Sequence, residues 1–536
     1  GFAVVGLRMG VLASTEAQEP RAGVSVPSII AQRADIVDRH GNVLATNLVT
    51  NSLYAQPPLM VDRARAAREL ARIFPDLDES ALLKDFTGTR KFLWIKRKIS
   101  PEQQQMVHDI GEPGLLFGPR EMRLYPNGRL AAHVLGGAGF GREGVHSAEV
   151  IGVAGVEKEF DAYLRDPANG GAPLALSLDL SVQATARRVL EGGMKIMNAR
   201  GATSILMDAR TGEVVSLVSL PDFDPNDRPV PLTRGDAAES PLFNRAVQGV
   251  YELGSTFKLF TAAQALDEGL VRPESLIDTR GPLKAGGFTI RDFHYYGPEM
   301  SLNEVIVKSS NIGTARVATA IGGERQKAFL EALGFLAPTP VELVEADGAQ
   351  PLYPRRWSEL STMTISYGHG LSASPLHLAA AYASVLNGGR LVTPTLLRRE
   401  EPQAPGPRIV SAETSRVLRG MLREVVTRGT ATFGDVPGYA VGGKTGTADK
   451  PRPQGGYYED RVIATFASVF PVHDPRYVLV VTLDEPMISA MEEAKRTAGW
   501  TAVPVAAEMI HRVAPLLGLR PEIEPGAPDG LMLTAN

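Results

Sequence analysis

The sequence predicts a multidomain α+β protein in which a smaller mixed α/β unit precedes a larger one, the larger built on a central antiparallel sheet with a helical lobe. Three observations carry this. The chain has 536 residues, against roughly 100 to 200 for one domain. A Gly/Pro-rich break, Asp166-Pro-Ala-Asn-Gly-Gly-Ala-Pro173, is the best boundary signal in it. Beyond the break the apolar runs come in the order two strands, many helices, three strands, which suggests one sheet assembled from both ends of the unit. The expected division is 1–32 as the end of a membrane anchor and linker, 33–173 as a non-catalytic unit, 174–514 as the catalytic unit and 515–536 as a disordered tail.

The first element is the apolar run 2–13, interrupted by Arg8. It is shorter than the ~20 residues that span a bilayer and reads as the outer end of an anchor or as a frayed terminus. Folded structure starts at Arg33-Ala-Asp-Ile-Val-Asp-Arg-His-Gly41, whose apolar runs flank an Asp-Arg-His-Gly-Asn turn and signal a hairpin. Residues 60–84 carry helical periodicity, and Ser100-Pro-Glu-Gln103 is a capping-box start for a helix toward Ile110. Between them, residues 90–98 interleave Lys and Arg with Phe92 and Trp94. Such a run can offer a nucleic-acid platform, but a strand with one buried and one cationic solvated face fits the net charge of −4 better. After the break come a helix over 182–197, strands over 202–208 and 213–219 joined by a tight turn, helices over 255–395, and strands near 439–443, 462–470 and 477–483. The Pro/Gly-rich stretch 521–536 reads as disordered.

Composition narrows the chemistry. With 44% hydrophobic and 22% charged residues the chain is globular. No Cys is present, which removes thiolate nucleophiles and Cys-based metal sites. Only 13 residues are Lys, so few amines are available as bases. Asp222, Asp224 and Asp227 lie in a segment that Pro221 and Pro225 make a turn, with too few ligands for a hard cation; no metal or cofactor is expected.

Among the lysines only Lys258 has a serine three residues before it, in Gly254-Ser-Thr-Phe-Lys258. At a helix start these positions share a face, so Lys258 can reach Ser255 Oγ and act as its base if its pKa is depressed. A capping serine beside a solvated lysine is the alternative. Ser301 with Glu304 makes a capping box and is structural, whereas Ser309 and Asn311 sit at a junction between helices from which short polar side chains project into a cleft. Ser309 could relay a proton there and Asn311 could bind a substrate amide. Gly442-Gly-Lys-Thr-Gly-Thr447 lacks phosphate-loop spacing and reads as a strand. On it Lys444 and Thr445 alternate in direction, and Gly446 would admit a substrate backbone. His369, between two glycines, reads as cleft-lining or structural.

A Ser-x-x-Lys, a Ser-x-Asn and a Lys-Thr-Gly in that order form a specific set. With it the chain resembles the class B penicillin-binding proteins, monofunctional peptidoglycan D,D-transpeptidases, and most closely their division type. The likeness extends over Arg33 to Gly41, Arg123-Leu-Tyr-Pro-Asn-Gly-Arg-Leu-Ala-Ala-His-Val-Leu-Gly136, Gly155-Val-Glu-Lys-Glu-Phe160, Phe223-Asp-Pro-Asn226, Asn244-Arg-Ala246, Tyr251-Glu-Leu-Gly-Ser-Thr-Phe-Lys258 and Lys444-Thr-Gly-Thr-Ala448. Leu253 and Ala34 depart from it, where the family often has Pro and Gly.

The resemblance implies a pedestal domain followed by a transpeptidase domain of the serine β-lactamase-like fold. It implies Ser255 as nucleophile toward D-Ala-D-Ala stem peptides, Lys258 as base, and Ser309 with Lys444 as the proton path to the leaving group. Asn311 would hold the substrate amide, Thr445 and Thr447 the terminal carboxylate, and the backbone N–H groups of Ser255 and Thr447 the oxyanion. It further implies inhibition by β-lactams, a single-pass inner-membrane anchor with a periplasmic catalytic domain, and an FtsW-type glycan polymerase and other division proteins as partners. No nucleic-acid partner is expected. The alternatives are an elongation-type transpeptidase, a β-lactamase or D,D-carboxypeptidase, and a division scaffold or β-lactam sensor without turnover.

Overall fold

The computed structural model describes residues 33–143, 148–401, 404–452, 454–490 and 493–522. The expected anchor and linker, 1–32, lie outside them. Among the described residues no helix is long and apolar enough to cross a membrane.

The N-terminal hairpin forms as expected. Strands β1 (Ile36–Val37) and β2 (Val43–Ala55) are antiparallel, and the Asp38 carboxylate closes the turn by accepting the N–H groups of His40 and Asn42, each at 2.8 Å. Strand β2 pairs with β3 (Leu93–Ile99) and with β4 (Leu115–Leu124). Helices α1 (Arg63–Ile73), α2 (Glu79–Thr87) and α3 (Pro101–Ile110) cover this sheet around Leu53, Leu70, Phe86, Leu93 and Val107. The periodic span 60–84 is thus two helices, broken at Pro75 because proline cannot continue a helix, with Asp78 capping the second. The Ser100 capping box is present in both directions. The aromatic residues of the basic run are half-buried and packed on neighbours, while Leu93 and Ile99 enter the core: Phe92 stacks on Tyr54 at 5.2 Å, and the Arg120 guanidinium lies 4.8 Å over Trp94.

Hairpin β5 (Gly137–Glu143) and β6 (Ala148–Ala154) follows. Below it Glu157, fully buried, is clamped by Arg33 at 2.7 Å and Arg123 at 2.6 Å and accepts the Tyr125 hydroxyl at 3.3 Å. The Gly/Pro stretch makes a 3-10 turn, Pro167–Asn169. The next strand, β7 (Leu174–Ala175), returns to pair in parallel with β1.

In the second half the strand order is β10-β11-β12-β8-β9, all antiparallel, with β8 (Gly201–Asp208), β9 (Val214–Leu220), β10 (Gly442–Pro451), β11 (Tyr457–Phe470) and β12 (Tyr477–Asp484). This is the sheet built from both ends that the element order suggests. Every residue of β12 is buried, so helices must cover both faces. Helices α4 (Leu180–Ile196) and α10 (Ala502–Leu516) pack together on the sheet, α8 (Pro375–Leu386) crosses its three middle strands, and α9 (Ala412–Arg428) lies along β10. Helices α5 (Lys258–Asp267), α6 (Leu302–Val307) and α7 (Asn311–Ile321) belong to the helical lobe.

Four features depart from the sequence reading. Helices α9 and α10 went unread, and short two-stranded ribbons, Leu276–Asp278 with Glu299–Ser301 and Leu283–Ala285 with Phe288–Ile290, interrupt the helical lobe. The strand near 439–443 begins only at Gly442 and runs on to Pro451. The expected disorder from 515 does not start there: α10 continues through Leu516, and Glu522 still donates its N–H to the Gly438 carbonyl at 2.8 Å. The two halves are joined where Asn226 grips the Tyr125 peptide, accepting its N–H at 3.0 Å and donating to its C=O at 2.9 Å.

Candidate active site

Ser255 lies in a 3-10 turn, Gly254–Phe257, that feeds directly into α5 at Lys258. The turn is pressed against the edge strand β10. Gly254 has φ +56°, and a Cβ there would come within 2.8 Å of the Thr447 carbonyl oxygen. A Cβ on Gly446 would come within 2.2 Å of the Leu253 carbonyl oxygen. Facing glycines therefore let the serine turn and the strand touch through their backbones. This corrects the reading of Gly446: the space left by its missing side chain is filled by the protein's own turn, not kept for a substrate.

Lys258 and Lys444 are fully buried. The three donors of Lys258 Nζ go to Ser309 O at 2.5 Å, Ser309 Oγ at 3.0 Å and Asn311 Oδ1 at 2.7 Å. The hydrogen bond to Ser255 Oγ that the i, i+3 spacing suggests is not among them, because these acceptors from the α6–α7 junction take every N–H of the ammonium. Lys444 Nζ donates to Ser309 Oγ at 2.9 Å and to the Thr445 carbonyl at 3.3 Å. With both lysines donating to it, Ser309 Oγ has its lone pairs occupied, and its own hydrogen is left to be given to a third partner. Ser309 has φ +63°, a left-handed conformation uncommon for serine, which fits the sharp turn between the helices.

Two physical causes lower the lysine pKa values. Burial, and then the neighbouring Lys444 charge, push Lys258 well below the ordinary lysine value, with the Asp292 carboxylate acting the other way. Burial alone lowers Lys444 to about 7. Both follow from removing like charges from water.

Asn311 opens α7. Its Nδ2 donates to the Arg291 carbonyl at 3.0 Å, which fixes the orientation of the amide and leaves one N–H uncommitted. On β10, Thr445 Oγ1 lies 2.7 Å from Thr430 Oγ1, and Thr447 Oγ1 accepts the Ala498 backbone N–H at 3.0 Å. That acceptance leaves the Thr447 hydroxyl hydrogen free to donate. Beside the serine turn, Glu252 accepts the Gly370 N–H at 2.7 Å and the Tyr457 hydroxyl at 3.0 Å. His369 lies 5.3 Å from the Tyr367 ring.

The structure thus gathers Lys258, Ser309, Asn311 and Lys444 on shared hydrogen bonds, with Ser255, Gly446 and Thr447 at the turn–strand contact. Sequence reasoning missed Glu252, Asp292, Thr430 and Ala498. Glu252 could have been found as a carboxylate three residues before the serine; the others have no spacing signal. Ser301 caps α6, as read. Asp222 pairs with Arg187 at 2.6 Å, and Asp224 caps the turn at Asn226.

A serine turn pressed against a strand edge, beside two buried lysines that share a second serine, fits a serine acyltransferase of the penicillin-binding type, and the chain belongs to that family. The penicillin-binding protein transpeptidase domain matches residues 202–510, and the penicillin-binding protein dimerisation domain matches 28–171. Among named relatives, the chain is 36% identical to the probable peptidoglycan D,D-transpeptidase FtsI of Caulobacter vibrioides, over 98% of this chain and 88% of that one. It is 28% identical to the peptidoglycan D,D-transpeptidase FtsI of Escherichia coli, over 93% and 86%. The apo crystal structure of penicillin-binding protein 3 from Mycobacterium tuberculosis superposes with a TM-score of 0.68 at 25% identity, covering 92% of this chain and 98% of that one.

Proposed function

We propose that this protein is a division-type peptidoglycan D,D-transpeptidase that cross-links D-Ala-D-Ala stem peptides through an acyl-serine. The observation that carries the reading is the convergence of Lys258 and Lys444 on Ser309 Oγ, at 3.0 and 2.9 Å, beside the turn that presents Ser255. Deprotonation of Lys258 frees one of its three positions, and the resulting lone pair takes the Ser255 proton as Oγ attacks the D-Ala carbonyl. The backbone N–H groups of Ser255 and Thr447 hold the oxyanion, each such donor being worth about 3 to 4 kcal/mol. Ser309 passes its hydrogen to the leaving D-Ala amine and is reprotonated from Lys444. An acceptor amine then attacks the acyl-enzyme and the proton path runs in reverse. The uncommitted N–H of Asn311 suits the substrate amide, and the hydroxyls of Thr445 and Thr447 suit the terminal carboxylate. A β-lactam enters as a cyclic mimic of the donor.

The relatives named FtsI support a septal role. From it follow an N-terminal membrane anchor, a periplasmic catalytic domain and an FtsW-type glycan polymerase with other division proteins as partners. We place the boundary between pedestal and transpeptidase domains in the turn at 166–173, between the two matched segments.

Intact-mass spectrometry after incubation with benzylpenicillin, on the native chain and on Ser255→Ala, followed over hours, tests the reading. One persistent adduct, absent from the variant, is expected, together with aminolysis of a thioester donor by an added D-amino acid. A rapidly lost adduct would indicate a hydrolase. An adduct without aminolysis, or none at all, would leave a sensor or scaffold.

A further inference from the structure

Asp292 lies 17 residues before Ser309 in an irregular segment between two short ribbons, and no catalytic motif includes it. Its carboxylate nevertheless holds the start of α7 from three directions. Oδ1 accepts the backbone N–H of Asn311 at 2.6 Å and of Ile312 at 3.0 Å, and Oδ2 accepts the Ser310 hydroxyl at 2.7 Å. Ser310 is itself the N-cap of α7 and accepts the Gly313 N–H at 2.9 Å. The preceding carbonyl, from Arg291, takes the Asn311 side-chain amide at 3.0 Å. One carboxylate and its neighbouring peptide therefore satisfy N–H groups that a helix start leaves unpaired, and they fix both the backbone and the amide of Asn311.

What is held in this way is the far side of the Lys258 site. Two of the three acceptors around Lys258 Nζ come from Ser309 and the third is Asn311 Oδ1. Ser309 has φ +63°; such a conformation persists in serine only when its surroundings over-determine it, and the residues that follow it are tied to Asp292.

We propose that Asp292 is the positioning residue of the acylation step, clamping the 309–312 corner so that Ser309 and Asn311 present their oxygens to Lys258 and so that its negative charge faces that buried lysine. This rests on the reading of Lys258 as the base for Ser255. The charged groups facing Lys258 are Lys444 from β10 and Asp292 from the segment before α6; Ser309 and Asn311 are neutral. Asp292 also faces the Tyr296 phenol, whose pKa is raised by burial and by this carboxylate. Since Lys444 disfavours the ammonium of Lys258 and Asp292 favours it, removing the carboxylate makes Lys258 lose its proton at lower pH.

The test is the rate of benzylpenicillin acylation as a function of pH in the full chain, for the native protein, Asp292→Asn and Asp292→Glu. Asparagine keeps an oxygen for the Asn311 and Ile312 N–H groups but brings no charge and cannot accept the Ser310 hydroxyl through its NH2. The expected result is a plateau rate lowered by up to ~10²-fold, the loss that follows misplacement of a catalytic group by about 1 Å, together with an acid limb moved to lower pH. Asp292→Glu should return the limb toward the native position. An Asp292→Asn profile with the native limb would overturn the proposal, whatever its plateau, because a merely structural cap lowers the rate without moving the limb. Failure of the native chain to be acylated at Ser255 would instead sink the functional reading beneath it.

Discussion

Lys258 and Lys444, separated by 186 positions in the chain, aim their amines at the same oxygen, Ser309 Oγ, at 3.0 and 2.9 Å. Two ammonium groups so placed repel, and burial adds to the penalty, so the pair must shed a proton near neutrality.

Acylation by benzylpenicillin is therefore expected to rise with pH through the neutral range and not near the ordinary lysine value. In Lys444→Ala the like charge is gone and the Lys258 pKa rises, so the acid limb moves to higher pH. A limb that stays in place would separate the two lysines functionally. Stopped-flow acylation across pH reads this directly.

The same burial costs stability. Lys444 has a folded-state pKa of about 7, below its unfolded value, so the unfolded chain binds the proton more tightly. Stability is lost at and below neutral pH and recovered as pH rises toward the ordinary lysine value. Lys444→Met should abolish turnover yet raise Tm, by roughly 1 °C per kcal/mol regained in a chain of this size. The gain should be largest near neutral pH and fade in alkaline buffer, as thermal melts at the two conditions would show.

Gly446→Ala places a methyl 2.2 Å from the Leu253 carbonyl oxygen, a backbone atom that cannot rotate away. The serine turn must move off β10, and acylation should fall by about 10²-fold. Gly192→Ala, inside α4 with nothing within 4 Å of the new Cβ, should instead stabilise by about 0.5–1 kcal/mol. Acylation rates and urea midpoints of the two variants check the contrast.

Thr447→Val removes the hydroxyl that accepts the Ala498 N–H and that we assign to the substrate carboxylate. Loss of a hydrogen bond to a charged group is worth about 1.5–3 kcal/mol, so acylation should drop ~10- to 100-fold. An esterified substrate, lacking the carboxylate charge, should lose less than the free acid.

Glu157→Gln in the pedestal leaves the buried Arg33 and Arg123 without their shared carboxylate. Breaking a buried pair from one side typically costs about 3–5 kcal/mol. Denaturant unfolding should show that loss, while acylation per folded molecule stays at the native rate.

The sequence made the motif residues legible because each motif is local: Ser255 and Lys258 share a turn, Ser309 and Asn311 share a helix junction, and Lys444 to Thr447 share a strand. The sheet was legible because β8, β9, β12 and residues 462–470 of β11 are buried on both faces and read as mainly apolar runs. Asp292, Thr430 and Ala498 were not legible, since Asp292 acts through three tertiary hydrogen bonds and the other two through one each, and such contacts leave no periodic or spacing trace. Gly446 was misread because a bare strand position signals a close backbone approach without saying whose backbone approaches. The direct Ser255–Lys258 bond was expected from helical spacing alone, which does not count the competing acceptors at 309 and 311.

Strand β7 pairs in parallel with β1, and the ladder continues beyond both strands: Leu174 N–H to Asp35 O at 2.8 Å, Leu176 N–H to Val37 O at 2.8 Å and Arg39 N–H to Leu178 O at 2.9 Å. Its consequence is mechanical. A pull applied at residue 33 loads these bonds in shear and passes into the chain that leads to α4, without crossing the lobe formed by residues 43–124. The catalytic half thus receives such a load through a short lateral seam, and the lobe is joined to the loaded segment from the side, by the β1–β2 pairing, by Asn47 on the Arg33 carbonyl and by the Glu157 carboxylate that Arg33 and Arg123 share.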